Sequence, residues 1–328
     1  MTWSWRIRSK WFGVGAAILA FLVVGSIGAF RYADTFWLYR GFPPPTQPKS
    51  ITVTRGGVTS RIPVEPGSVQ TFYLPSPALG GLEQLVYVFL PPGYSTEAGK
   101  RYPVLYLLHG HPGGPATFLL AGRIGVLESI LVAEGRMTPM IIVMPFGTTG
   151  FLGPDEEWAN GVRPNSGWET FVAMDLVNAI DSRYRTIARG SARAIGGLSE
   201  GGYGAINIGL HHPDEFSVVE SWSGYERAFP IPAIFGRSTA LIAYNSPTDR
   251  LPFQWHELVA SHVYIWFYSG ADDPLLRENR QFSDLLSQYG IQHQFLVVPN
   301  EGHSWRLWRA EEPQALLAAS SHLTPAQG

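Results

Sequence analysis

The chain has 328 residues, a formal charge of -2, 45% hydrophobic against 15% charged residues, and no cysteine. The missing cysteine excludes disulfides, thiol nucleophiles and thiolate metal sites. The charge balance, with no Lys/Arg run interleaved with aromatics, gives no basis for nucleic-acid binding, and the length allows one large core.

Residues 1–10 carry Arg6, Arg8 and Lys10 and no acid, and 11–30, from Trp11 to Phe30, carry no charge at all. Such a run is long enough to cross a bilayer, and its basic flank reads as cytoplasmic. The expected organisation is a cytoplasmic N-terminus at 1–10, one transmembrane anchor helix at 11–30, a Pro-rich tether at 31–50 and a single folded domain at 51–323. The body would then lie outside the cell membrane. A cleaved signal peptide ending near Ser26-Ile27-Gly28 is the alternative, and would give a secreted domain.

Ile51-Thr52-Val53-Thr54 alternates as a short strand. Val69–Leu74 and Leu85–Leu90 are stronger strands around a Pro/Gly turn. Pro103–Leu108 and Met140–Pro145 are nearly continuous apolar runs, the pattern of central strands covered on both faces. Between them, 116–134 carries Leu119, Leu120, Ile124, Leu127 and Leu131 at helical spacing. Then follow a helix at 170–185, a strand at 192–198, a helix at 202–211 and a strand at 217–221. The stretch 226–253 is interrupted by prolines and gives at most one short helix at 239–243. A strand at 263–268, a helix at 274–289, a strand at 294–299 and a helix at 305–320 complete the series. Strands alternating with helices imply a mostly parallel sheet with helices on both faces, a three-layer α/β domain.

Gly197-Leu198-Ser199-Glu200-Gly201 has the form G-x-S-x-G and joins an apolar strand to a run of small residues. A sharp strand-to-helix turn leaves no room for a Cβ two residues on either side of the serine, which accounts for the glycines. Later strand ends carry Asp272 and Asp273, in Ser269-Gly270-Ala271-Asp272-Asp273-Pro274, and then His303, in Glu301-Gly302-His303-Ser304. The order Ser, Asp, His is that of an α/β-hydrolase triad. Ser199 needs an imidazole to take its proton, and the imidazole needs a carboxylate to hold its tautomer. His303 is the candidate base and Asp273 the candidate acid, with Asp272 as the alternative. The developing oxyanion needs donors already in place, here the amides of Glu200 and His111. His109 and His111 also admit two other readings, as loop residues without a role or as a metal pair. No third ligand stands at a recognised spacing, so neither metal nor cofactor is expected. His211, His212, His256, His262 and His293 read as surface or packing residues, and His322 as frayed.

Phe72–Gly80, Val88–Tyr94, Arg101–Gly110, Gly201–Ala205, His212-Pro213-Asp214 and Gly302–Trp305 occur in one order. In these segments the chain resembles the esterases of the esterase D and mycobacterial antigen 85 type, within the α/β-hydrolases, over about residues 69–320. The resemblance implies an α/β-hydrolase domain with Ser199 as nucleophile, Asp273 as acid, His303 as base, and oxyanion amides at His111 and Glu200. It implies a serine esterase, with acyl transfer to a sugar or lipid alcohol as the alternative and a non-catalytic scaffold as the third. Some membrane-attached relatives act on aminoacyl phospholipid esters. Glu200 departs from the uncharged residue often found at its position. Trp158, Trp168, Trp222 and Tyr225 fall in loops on the expected site side and are the candidate substrate pocket. The expected partners are an ester, lipid-linked if the anchor holds, and the bilayer.

Overall fold

The computed structural model describes residues 21–26, 45–147 and 156–328. The chain divides into two units, Met1–Pro43 and Pro44–Gly328. In the first, residues 21–26 are helical; the rest of the expected anchor at 11–30 and the tether up to 44 lie outside the described residues. Among the described residues no helix is long and apolar enough to cross a membrane.

The second unit opens with a hairpin of β1 (Ser50–Arg55) and β2 (Val58–Pro63). Gly56 and Gly57, at φ 56° and 80°, make its two-residue turn. β2 was not anticipated, because Val58-Thr59-Ser60-Arg61 has no apolar face and stays exposed. The main sheet has eight strands: β3 (Ser68–Ser76), β4 (Leu82–Leu90), β5 (Val104–Leu108), β6 (Ile141–Pro145), β7 (Arg193–Leu198), β8 (Val218–Trp222), β9 (Tyr264–Gly270) and β10 (His293–Val298). Their order is β10-β9-β8-β7-β5-β6-β4-β3. β3, β4 and β6 pair antiparallel; all other neighbours are parallel. Every residue of β5, β6, β7 and β8 is buried, as continuous apolar runs require of strands covered on both faces.

The helices are α1 (Ala116–Leu120), α2 (Ile124–Ala133), α3 (168–183), α4 (Glu200–His211), α5 (Pro232–Phe235), α6 (Thr239–Tyr244), α7 (Pro247–Ala260), α8 (Leu276–Gln288) and α9 (Trp305–His322). The middle of α3, Phe171–Leu176, is wound as a π-helix. The single helix expected at 116–134 is broken in two. Gly122 closes on α9, where a Cβ would stand 2.1 Å from Glu312 Oε1, and Arg123 turns to φ 56°. Two of the prolines that obscured 226–253 open helices instead: Pro232 and Pro247 are first residues of α5 and α7, where no N–H is required, while Pro252 lies inside α7. His322 is not frayed; it ends α9 with its ring stacked 3.6 Å from that of Tyr264.

β5 and β7 are neighbours, yet the chain leaves β5 toward β6 on one side and returns to β7 on the other. The carboxyl ends of the strands beside such a reversal form a crevice for ligands, and the candidate residues gather there.

Candidate active site

Ser199 sits between β7 and α4 at φ 56°, ψ -122°, a conformation that L-residues rarely adopt. Its neighbours hold it there. The Ser199 N–H donates to Trp222 O at 3.1 Å, and Gly202 N–H donates to Ser199 O at 2.9 Å. A Cβ on Gly197 would lie 2.3 Å from Gly201 O, and one on Gly201 would lie 1.9 Å from Leu108 O. Only glycines let the helix start press against both β7 and β5.

Ser199 Oγ lies 2.8 Å from His303 Nε2, and His303 Nδ1 lies 3.0 Å from Asp273 Oδ2. Gly270 brings the last two loops together, since a Cβ there would stand 2.1 Å from Glu301 O. Asp272 N–H donates to that same carbonyl at 2.9 Å, and the Asp272 side chain is exposed. The structure thus brings Asp273, and not Asp272, to the imidazole. Asp273 is buried, which opposes its charge. Hydrogen bonds from His303, Ser223 and the Leu275 N–H, together with the charge of His303, outweigh that and hold the carboxyl below its ordinary value. The edge of Trp308 packs against His303, with centroids 5.1 Å apart.

Ser223 was missed. It follows β8 at φ 60° and donates its hydroxyl to Asp273 Oδ2. A signal existed: Ser223-Gly224 closes β8 as His109-Gly110 closes β5 and Ser269-Gly270 closes β9.

The turn after β5 lies beside the serine, since a Cβ on Gly110 would stand 3.1 Å from Ser199 Cβ. His109 is buried in this turn. Its Nε2 accepts from Gly147 N–H at 3.0 Å, so the ring proton is on Nδ1, which faces Gly110 O at 3.0 Å. Burial lowers its pKa to about 4, with the charge of His111 adding to the effect and the Gly110 carbonyl opposing it. His111 itself is exposed. Glu200 opens α4, and its carboxylate is buried.

The tryptophans are corrections to the expected substrate pocket. Trp158, Trp168 and Trp222 are 0%, 1% and 0% exposed, so none offers a face to a substrate. Trp158 donates its indole N–H to His109 O at 3.0 Å and sets its edge on the His109 ring, 5.1 Å away. Trp168 packs against Phe171 in the core, and Trp222 donates to Glu220 Oε2 at 3.0 Å. Their expected place in loops on the site side suggested exposure, but large aromatic side chains gain most by burial. Tyr225 is also buried. It donates to Glu157 Oε2 at 2.7 Å, stacks on Tyr203 and touches the half-exposed Phe229. Burial pushes its phenol well up, and the Glu157 and Glu200 carboxylates push it further. Among the described residues no group of three or more His, Asp or Glu is arranged to hold a metal ion.

The family model "Esterase" matches residues 76–319. An esterase of Mycobacterium tuberculosis is 29% identical over 258 residues, covering 67% of this chain and 52% of its own. The chain therefore spans about half the length of that curated relative. A diacylglycerol acyltransferase/mycolyltransferase, Ag85B of Mycolicibacterium smegmatis, is 25% identical over 69% of this chain and 81% of its own. Among solved structures, a ferulic acid esterase is 31% identical with a TM-score of 0.71, covering 79% of this chain and 100% of its own. The match over most of the chain, on an α/β-hydrolase sheet with a serine elbow, places this protein in the esterase family.

Proposed function

We propose that this chain is a serine ester hydrolase that works through an acyl-enzyme on Ser199. The observation that carries the reading is the unbroken path from Ser199 Oγ to His303 Nε2 at 2.8 Å and from His303 Nδ1 to Asp273 Oδ2 at 3.0 Å. His303 takes the serine proton as Oγ attacks the ester carbonyl, while Asp273 holds the Nδ1–H tautomer and stabilises the imidazolium. The amides of His111 and Glu200 receive the oxyanion. His303 then gives the proton to the leaving alcohol and draws one from the water that releases the acid.

The apolar stretch 11–30 is the proposed anchor, with the catalytic unit outside the membrane. That location supports lipid-linked esters, aminoacyl phospholipids among them, as substrates. The likeness to a mycolyltransferase supports a second reading, in which an alcohol replaces water in the deacylation half.

The test is a fluorophosphonate probe applied to the full chain. The wild type labels and Ser199→Ala does not; an unlabelled wild type of native fold would end the proposal. Envelope lipids supplied with and without an alcohol acceptor then separate free acid from transferred acyl product.

A further inference from the structure

Ser223 stands between the nucleophile strand and the acid strand. Its N–H donates to Tyr268 O at 2.9 Å, which ties it to β9. Its hydroxyl donates to the same Asp273 oxygen that accepts from His303, and its Oγ lies 3.5 Å from His303 Nδ1. A carboxylate has no hydrogen to give, so Ser223 is the donor. The residue is fully buried and held at φ 60°, where glycine would be unstrained and serine is not. Strain at such a site persists only where the surrounding structure over-determines the conformation.

We propose that Ser223 is a fourth member of this constellation, a positioning residue whose hydroxyl locks Asp273 Oδ2 in line with His303 Nδ1. The inference rests on Ser199, His303 and Asp273 acting as a triad. With the hydroxyl in place, the carboxylate cannot turn about its own axis without breaking a buried bond. The imidazole therefore keeps one tautomer and one aim toward Ser199. Removing the hydroxyl also concentrates the carboxylate charge on its contact with His303, which favours the imidazolium. The acid limb of the rate profile then moves to higher pH. Glu226, on the loop after β8, is an ionisable group whose charge couples to that of Asp273. Its burial, with the charges of Glu278 and Asp273 adding, pushes its own carboxyl well up.

Two substitutions in the full chain separate positioning from structural support, with p-nitrophenyl acetate as the probe substrate. Ser223→Gly removes the hydroxyl and relieves the backbone, so Tm holds. For this variant kcat falls about tenfold or more, KM stays within about twofold, and the acid limb moves up. Ser223→Thr keeps the hydroxyl but strains a β-branched residue at positive φ, so Tm falls. Here kcat stays within about threefold and the limb does not move. Activity that follows Tm instead of the hydroxyl, or a Gly variant with wild-type kcat and acid limb, overturns the assignment. A wild type that fails to label with fluorophosphonate overturns the triad along with it; a labelled wild type matched by Ser223→Gly overturns Ser223 alone.

Discussion

His303 and His109 both stand at carboxyl ends of strands, each with both ring nitrogens engaged, and their surroundings set them apart. His303 is exposed and lies between a serine hydroxyl and a buried carboxylate. His109 is buried between an amide N–H and a backbone carbonyl. A carboxylate partner makes the charged imidazole affordable during a reaction. Neutral partners in a dry site forbid that charge, so the His109 ring is a fixed strut for the turn beside Ser199. In the proposed mechanism the same residue type moves a proton in one place, while in the other it is kept neutral.

The largest effect should come from removing what distinguishes His303. Asp273→Asn should lower kcat/KM toward p-nitrophenyl acetate by about 10³–10⁴-fold with the fold intact; a loss below tenfold would break the contrast. Next, His109→Ala empties the strut and leaves the Gly147 N–H without its acceptor. It should destabilise the protein by about 2–4 kcal/mol in urea denaturation and lower kcat more than it raises KM.

A finer test uses pH. The folded-state pKa of His109 is lowered to about 4, so the unfolded chain binds its proton first as pH falls. The stability tied to the neutral ring is present above the unfolded value of about 6.5 and is lost as pH drops toward 4. Between pH 7 and pH 5 the wild type should lose about 2 kcal/mol more than His109→Gln. A second pH test extends the contrast to a carboxyl. Glu220 is buried in β8, and desolvation raises its pKa to about 8 against hydrogen bonds from the Trp222 indole and the Ala319 backbone. Its contribution is present below the unfolded value near 4.5 and is lost as pH rises through 8. By the same linkage, Glu220→Gln should gain about 3 kcal/mol on the wild type between pH 5 and pH 8.

Local patterns made several elements legible. The glycines around Ser199 report a turn too crowded for any Cβ, and the close approaches at Gly197 and Gly201 bear this out. Pro103–Leu108 and Met140–Pro145 announced buried strands because strands covered on both faces need no polar positions. The helix break at Gly122 escaped notice because its cause, Glu312, lies on α9 at the far end of the chain. The tryptophan assignments failed for the same kind of reason: Trp158 is buried by His109 and by the glycines at 147 and 204, none of them its neighbours along the chain.

By itself the amino-acid order determined the serine turn, the alternation that builds the sheet, the order of Ser199, the Asp272-Asp273 pair and His303, and the apolar stretch 11–30. These depend on backbone sterics and on burial periodicity, which act within a few residues. Tertiary structure alone decided that Asp273 and not Asp272 meets the imidazole, that Ser223 joins them, and that His109 is kept neutral. Each of those outcomes depends on a donor, an acceptor or a dry wall supplied by a distant segment, and only folding brings such partners within hydrogen-bond reach.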